Sequence, residues 1–512
     1  MKLLAILAVL SLAAWPQAPG ARMRLGTGVG AAVNIAPVLV SNYSTGTDNG
    51  FLQESLTALS APSLFLFPKT PNNGFVGGSH NCAVMAVSSA VGLTQNTPTD
   101  TAGDTWVAGP SIATTGVAGV TWKTWYSLGI SSASSNKITI TTSGASTGGS
   151  IQTSLGAILT EVYNCNTSTV GGNGTLNTAA TGSALTLTLN TAPASGDMVW
   201  AAFIDSSVAG TGTPITNLTT ISPGTGFTAI TRSKTFGKLA EYNTATTSTS
   251  VQATYSGTDN VLGVALVIKQ GPAGTAPPAT KYIDNYQVEQ IPATTTPTLD
   301  FPFGGNLIVG LSGGGVGISS ITGSTCTWNT GVSNSTHGVA QIVYGSNCTP
   351  SSAATVSPTY SGTPSAPGQS LSLVSITNAN TSPFDTSTNT SGNQTTAANL
   401  TTSAITPTAN GEIIFTTATI TWHTETSLVA DSNSHTTLPL FAVNTKADDA
   451  EPSCTTSTPN STLDEDNPFG IYQNVSDHTA ITFIWVGTQT TGTCTTLTSG
   501  VQGWSSVAAA FK

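Results

Sequence analysis

The chain has 512 residues, of which only 7% are charged, and its formal net charge is −10 with a pI near 4.7. This length exceeds what one hydrophobic core fills, so several domains are expected. An acidic chain lacks the basic face that nucleic-acid binding requires, and we therefore expect no nucleic-acid partner. Many short runs of Val, Ile and Thr also set the chain apart from disordered sequences, which are poor in β-branched residues.

Residues 1–21 have the pattern of a secretory signal peptide. Lys2 is followed by an apolar stretch from Leu3 to Trp15 and by small residues from Ala18 to Ala21. No later run approaches the ~20 apolar residues that a membrane-spanning helix requires. The pattern predicts export, and we expect a secreted or cell-surface protein without a transmembrane segment after the signal peptide.

Two phrases indicate an internal duplication. Residues 162–168 (VYNCNTS) recur as residues 376–382 (ITNANTS), at an offset of 376 − 162 = 214. Residues 196–200 (GDMVW) recur as residues 411–415 (GEIIF), at an offset of 411 − 196 = 215. The final residues of the two copies, IK at 268–269 and FK at 511–512, are 243 apart, so the second copy carries 243 − 215 = 28 extra residues. A fixed period is the signature of a repeat architecture.

Each copy divides again into two related halves. Residues 155–159 (LGAIL) resemble residues 262–266 (LGVAL) at an offset of 107, and Tyr126 aligns with Tyr242 at an offset of 116. We therefore predict four units after the signal peptide and an N-terminal segment at 22–59. The predicted units span residues 60–175, 176–270, 282–395 and 396–512, with a Pro/Gly/Ala linker at 271–281 between the second and third.

Short strands dominate the pattern inside a unit. Residues 185–189 (LTLTL) alternate apolar and polar side chains, as a half-buried strand does. Roughly seven such strands per unit, with frequent turn residues between them, are typical of a two-sheet sandwich. We expect an all-β protein of tandem β-sandwich units, Ig-like or jelly-roll, with two copies each of two related halves. The alternative is one larger jelly roll per copy.

Residues 99–106 (TDTAGDTW) place an Asp/Gly turn before an aromatic strand. This phrase resembles the turns of secreted bacterial tandem Ig-like or β-sandwich repeat proteins. The third unit departs from it, because residues 321–328 read ITGSTCTW. The resemblance implies a sandwich fold and a surface or matrix role by analogy.

The six cysteines are distributed evenly over the predicted units. Six cysteines allow 15 pairings, but two lie in unit 1, two in unit 3 and two in unit 4. In an exported chain this distribution favours disulfides. We predict the pairs Cys82–Cys165, Cys326–Cys348 and Cys454–Cys494. Metal ligation is disfavoured because no Cys-x-x-Cys spacing occurs.

Trp125 is the candidate ligand-binding residue. Strand alternation places Trp122 and Tyr126 on one face and Trp125 on the other. Glu241 holds the position of Trp125 in the second unit, which suggests a position in contact with water. An exposed indole ring can stack on a sugar, and the alternative is a ring packed under a loop or against the next unit.

An acidic stretch in the fourth unit is the candidate metal site. Hard cations such as Ca²⁺ take six to eight oxygen ligands, although the spacing here matches no known calcium loop. The alternative is a solvated acidic loop. The six carboxylates are Asp448, Asp449, Glu451, Asp464, Glu465 and Asp466.

Catalytic patterns are weak. Two Gly-x-Ser-x-Gly phrases, at 144–148 and 310–314, lack the helix that a hydrolase elbow needs after its serine. His423 and Glu425 lie on one face of a predicted strand and can form an acid/base or metal pair, yet no third partner is evident. No catalytic residue is therefore assigned.

The sequence leads to two functional hypotheses. The first is a secreted, non-enzymatic bacterial surface or matrix protein for adhesion, carbohydrate binding or structural spacing, with polysaccharides or cell-surface components as partners. The second is an extracellular glycan-active enzyme with its site in the unit 4 insertion or between units. An enzyme needs polar side chains that converge in a cleft, and a carbohydrate-binding module needs an exposed aromatic ring.

Overall fold

A computed structural model provides the structure of the protein. It describes residues 34–44, 63–66, 76–90, 93–114, 120–131, 138–144, 156–179, 184–205, 221–233, 237–257, 260–276, 282–291, 293–364, 369–394, 399–420, 425–429, 440–443, 469–473, 480–488 and 502–512. The described residues form 33 strands and no helix, so they include no helix that could cross a membrane. The prediction of an all-β protein is confirmed.

The strands fall into four groups in chain order, which we call units 1 to 4. Unit 1 contains β1 (Val38–Ser44), β2 (Ser63–Leu66), β3 (Asn81–Ala90), β4 (Thr94–Gln95), β5 (Thr99–Asp100), β6 (Val107–Ala113), β7 (Val120–Leu128), β8 (Ile138–Ser143) and β9 (Gly156–Tyr163). Unit 2 contains β10 (Asn173–Ala179), β11 (Ala184–Thr188), β12 (Met198–Asp205), β13 (Ile221–Pro223), β14 (Thr228–Ser233), β15 (Lys238–Asn243), β16 (Ser250–Tyr255) and β17 (Asn260–Ile268).

Units 3 and 4 follow with eight described strands each. Unit 3 contains β18 (Tyr282–Gln290), β19 (Leu299–Asp300), β20 (Leu307–Gly314), β21 (Ile318–Thr322), β22 (Thr327–Asn334), β23 (Val339–Ser346), β24 (Thr355–Tyr360) and β25 (Ser370–Thr377). Unit 4 contains β26 (Phe384–Gln394), β27 (Asn399–Thr401), β28 (Ile413–Ile420), β29 (Glu425–Val429), β30 (Leu440–Val443), β31 (Phe469–Gln473), β32 (Ile484–Thr488) and β33 (Gln502–Phe511).

All four units have the same topology. The large sheet of unit 2 has the order β10-β17-β12-β15-β14 and its small sheet the order β11-β16-β13. Units 3 and 4 repeat this order strand for strand, and unit 1 does so with its fourth strand divided into β4 and β5. The first strand of a unit thus pairs with the last, the second with the seventh and the third with the sixth. Such nested pairing is that of a jelly roll, and it occurs once per unit.

The strand groups begin earlier than the predicted boundaries. β1 belongs to unit 1 but lies in the segment 22–59, and β26 belongs to unit 4 but precedes residue 396. β26 is an edge strand of its sheet, and most of its side chains are partly exposed. It therefore lacks the apolar alternation by which a strand is recognised in a sequence.

The large sheets of units 1 and 3 form one ten-stranded sheet. Their first strands, β1 and β18, pair in parallel with Tyr43 opposite Tyr286. The strand order is mirrored on either side of this pair. Parallel strands in a mirrored order are related by a two-fold axis along the strands, and such a rotation exchanges the two faces of the sheet.

The cores agree with this exchange of faces. In β3, Val84 and Ala86 pack with Trp200 of unit 2, whereas Met85 and Val87 on the other face share a core with the small sheet of unit 1. In β20, Val309 and Leu311 share a core with Phe415 of unit 4, whereas Ile308 packs with the small sheet of unit 3. Both faces of the ten-stranded sheet are therefore covered.

The duplicated phrases form the same turns in both copies. Asn164 and Asn378, 214 residues apart, have φ values of 63° and 55° at the end of the last strand of units 1 and 3. Gly196 and Gly411 have φ values of 90° and 69° before β12 and β28. Glycine and asparagine tolerate this left-handed region better than other residues.

Candidate functional site

Trp125 is buried and its ring is not available for stacking. Its exposed fraction is 3%, its Nε1 donates to Gln95 Oε1 at 3.1 Å, and Lys123 Nζ lies 3.9 Å from the ring centroid. The prediction of an exposed ring is wrong. The aligned residue Glu241, from which contact with water was inferred for Trp125, is itself 0% exposed.

Two other tryptophans join units 1 and 2 by reciprocal hydrogen bonds. Trp122 Nε1 on β7 donates to the carbonyl of Ala202 on β12, at 3.1 Å. Trp200 Nε1 on β12 donates to Thr160 Oγ1 on β9, also at 3.1 Å. Both rings are 0% exposed. Each indole satisfies its one donor across the interface, as a buried tryptophan requires.

Two of the three predicted disulfides are confirmed. Cys82 is bonded to Cys165 and Cys326 to Cys348, and the part of the chain that the structure describes contains no free cysteine. The first bridge joins Cys82, near the start of β3, to Cys165, the second residue after β9, at the boundary between units 1 and 2. The predicted pair Cys454–Cys494 lies outside the described residues.

The remaining predicted site residues belong largely to segments outside the description. These are Asp448, Asp449, Glu451, Asp464, Glu465, Asp466 and His423. Glu425 begins β29, and only its backbone is described. The second Gly-x-Ser-x-Gly phrase lies within β20, where Ser312 is buried and accepts a hydrogen bond from Gln369 Nε2 at 3.0 Å. Ser312 is therefore not at a strand-to-helix turn.

A buried carboxyl organises the start of β3 in unit 1. Glu161 accepts hydrogen bonds from the amides of Val76 and Gly77, at 3.1 and 2.9 Å, and from Asn81 Nδ2 at 3.1 Å. Burial raises the pKa of Glu161 to about 7, although these three donors oppose the rise, and the nearby Asp104 carboxylate adds to it. Burial also raises the pKa of Asp104 above its ordinary value.

The same cluster holds the linker between units 2 and 3. Asn81 Nδ2 donates to the carbonyl of Thr275 at 3.0 Å, and Asn81 Oδ1 accepts from the Thr275 amide at 2.8 Å. Asn164 Oδ1 accepts from the Gly274 amide at 2.8 Å, while its Nδ2 donates to the carbonyl of Ala36 at 3.3 Å. The linker is therefore fastened to unit 1.

A polar seam connects β14 of unit 2 with β18 and β19 of unit 3. Arg232 Nη2 lies 3.0 Å from Asp300 Oδ2, and the two side chains are 15% and 3% exposed. Thr231 Oγ1 donates to Gln287 Oε1 at 2.9 Å, and Gln287 Nε2 donates to the carbonyls of Arg232 and Asp300 and to the Glu289 carboxyl. A buried network of this kind rigidifies an interface when its members are satisfied.

Two further buried carboxyls have incomplete hydrogen bonding. Glu241 Oε2 accepts from the Gly224 amide at 3.1 Å, and burial raises the pKa of Glu241 to about 8. Glu412 Oε1 accepts from the Ala409 amide at 2.7 Å, and burial, together with the nearby Asp385, raises its pKa. Glu241 Oε1 and Glu412 Oε2 have no hydrogen-bond partner among the described residues.

Sequence reasoning did not single out Glu161, Glu412 or the Arg232–Asp300 pair, and it placed Glu241 in contact with water. A signal was present for two of them, because Glu161 and Glu241 are single charged residues among apolar neighbours in the segments AILTEVY and LAEY. A strand that is otherwise buried carries its charged residue into the interior. The Arg232–Asp300 pair had no local signal, since its members are 68 residues apart.

The geometry of the described residues points to interfaces rather than to a cleft. Their acidic, histidine and cysteine side chains form no group of three that could hold a metal ion. Several buried polar groups join one unit to another or to the linker. Comparisons with protein-family models, with curated proteins and with solved structures find no match to this chain.

Proposed function

We propose that this chain is a secreted structural protein of a bacterial cell surface or extracellular matrix. Its four units would act as one rigid block rather than as four independently moving modules. The observation that carries this proposal is the shared ten-stranded sheet, which joins units 1 and 3 through β1 and β18. A mechanical force on either copy would then be resisted by the backbone hydrogen bonds of this sheet and by the buried cores on its two faces.

The contacts between units support the same proposal. The indole bonds of Trp122 and Trp200, the Asn81–Thr275 pair and the Arg232–Asp300 pair all cross a boundary between units or reach a linker. Interfaces that are large, apolar and hydrogen-bonded favour rigid association over domain motion. Two disulfides suit an oxidising extracellular environment.

Adhesion to polysaccharides or to other surface components remains part of the proposal. The support is compositional, because a chain with 7% charged residues presents mainly hydroxyl and amide groups to its surroundings. Such groups can bind neutral sugars by hydrogen bonds. Trp125 has no role in it, since the ring is buried.

The test combines location, cooperativity and activity. Antibodies against the protein should detect it in the surface wash or medium of the source organism, and calorimetry should show units 1 and 3 unfolding together. Retention of the protein on immobilised polysaccharides would support the proposed role in adhesion. Confinement to the cytosol, or catalytic release of reducing sugars from a polysaccharide panel, would contradict the proposal, and the latter would favour the glycan-active enzyme.

A further inference from the structure

Three buried glutamates lie in units 1, 2 and 4, and those of units 2 and 4 each have a carboxyl oxygen with no hydrogen-bond donor among the described residues. Glu161, Glu241 and Glu412 are at most 1% exposed. Glu241 has the simplest environment, because its Oε2 has one donor, the Gly224 amide, and its Oε1 has none among the described residues. A carboxylate in such a place is costly, whereas a neutral carboxylic acid tolerates it far better.

The charged and titratable groups around Glu241 are engaged elsewhere or lie on the other face. Glu241 is opposite Ala201 on β12 and Ala229 on β14. On the elements packed against it, Tyr255 donates to Asp205, and Arg232 pairs with Asp300. Lys238 and Tyr242 on its own strand point to the opposite face, because side chains alternate along a strand.

We propose that Glu241 is kept as a neutral carboxylic acid in the folded protein, and that the fold is adapted to acidic surroundings and loosens as the pH rises. Glu161 and Glu412 act in the same direction in units 1 and 4. This inference does not depend on the proposed structural function.

The sign of the pH dependence follows from proton binding. Burial raises the pKa of Glu241 to about 8 and that of Glu161 to about 7, against an ordinary value of 4.5. The folded protein therefore holds protons that the unfolded chain releases. The associated stability is fully present below pH 4.5 and is lost as the pH rises through 7 and 8.

The small number of basic residues limits the destabilisation that low pH usually causes. Acid unfolds many proteins because protonation leaves a large positive charge that repels itself. Here the greatest positive charge from side chains is 13 + 5 = 18, from 13 Lys and Arg and 5 His, spread over 512 residues. Self-repulsion at low pH is consequently weak.

Ionisation of Glu241 would affect β14, the neighbouring strand that forms the polar seam with unit 3. Its cross-strand neighbour Ala229 borders the bulge between Ala229 and Thr231 on β14. Thr231 and Arg232, directly after it, form the polar seam with unit 3. A shift of β14 therefore transmits the change in charge to the seam.

The experiment compares wild type with Glu241→Gln and Asp385→Asn by denaturant unfolding between pH 5 and 9. Wild-type midpoints should fall with rising pH. Glu241→Gln should match wild type at pH 5 and exceed it at pH 9. Asp385 is the matched control: burial opposes ionisation, but Lys512 and Thr408 lower its pKa below the ordinary value. Asp385→Asn should therefore lower stability at every pH in this range, and it should retain the fall in the midpoint that Glu241 causes.

A second measurement covers the case in which a variant does not fold. The infrared spectrum of the wild type at pH 6.5 should contain the carbonyl band of a neutral carboxylic acid, and Glu241→Gln should weaken it. Calorimetry of the wild type in buffers of different ionisation enthalpy should show about one or more protons released on unfolding at pH 6. Absence of the band, no proton release, or equal pH slopes in wild type and Glu241→Gln would each overturn the proposal.

Discussion

Glu241 illustrates how a single position can mislead when its neighbours are unknown. A glutamate aligned with Trp125 suggests contact with water, since charged residues are mostly exposed. In the structure both positions are buried, Trp125 between the sheets of unit 1 and Glu241 between those of unit 2. Burial raises the pKa of Glu241 to about 8, so that the buried group is a neutral acid rather than a charge.

At this scale the first prediction concerns Trp122. Trp122→Phe removes the donor to the buried carbonyl of Ala202 and should lower the free energy of unfolding by roughly 1–3 kcal/mol. Trp328→Phe is the control, because Trp328 donates to the Gly323 carbonyl from a partly exposed position where water can replace it. Denaturant unfolding measures both variants. Equal losses would contradict a special role for the interface bond.

At the scale of elements, the connections between units explain why the duplication is visible at all. The phrase that contains Asn164 and Asn378 leads from the last strand of one unit to the first strand of the next. Asn166 and Asn380 then accept the amides of Ser168 and Ser382, at 2.8 and 3.0 Å. Turn geometry restricts these positions to a few residue types, whereas core positions accept many apolar residues.

A pair of substitutions at Asn378 tests this explanation. Asn378→Ala places a residue that tolerates the left-handed region poorly at a position with φ of 55°, whereas glycine adopts this region without strain. The alanine variant should be less stable than the glycine variant by about 1–2 kcal/mol in thermal or denaturant unfolding. Asn164→Gly should lose stability despite its free backbone, because Asn164 also binds Gly274 and Ala36. Identical stability of the two Asn378 variants would refute the backbone argument.

At the scale of the whole molecule, two features hold the copies together. One is the parallel pairing of β1 with β18, and the other is the seam between β14 and β18–β19. The seam combines the Arg232–Asp300 ion pair with the hydrogen bonds of the Gln287 amide. Because a buried pair is costly to break, the Arg232–Asp300 pair opposes the separation of units 2 and 3.

Arg232→Met tests the seam. The change removes the guanidinium from the buried Asp300 and should cost roughly 3–5 kcal/mol of unfolding free energy. Calorimetry should also show the first copy unfolding apart from the second. Lys512→Met is the matched control, because Asp385 retains the donors of Thr408 and Lys512 is more exposed than Arg232. A single, unshifted transition in Arg232→Met would show that the seam contributes nothing to cohesion.

Local patterns were sufficient for the fold class and for part of the covalent framework. The alternation in residues 185–189 appears in β11 as exposed and buried side chains in turn, and cysteine distribution identified both disulfides that the described residues contain. The strand prediction succeeds because alternation is a local property, and the disulfide prediction succeeds because both partners of each bridge fall within one predicted unit. The acidic insertion at 448–466 and the secretion signal at 1–21 remain predictions, since they lie outside the described residues.

Only the tertiary structure determined which unit packs against each face of a sheet. Alternation assigns side chains to two faces, but it does not reveal that unit 2 covers one face of the shared sheet and unit 4 the opposite one. The ten-stranded sheet depends on β1 meeting β18, some 240 residues further along the chain. From composition and period alone one obtains a repeated all-β chain with paired cysteines. Which indoles donate across an interface, and which ion pair forms there, follows from contacts between distant strands, which no local pattern encodes.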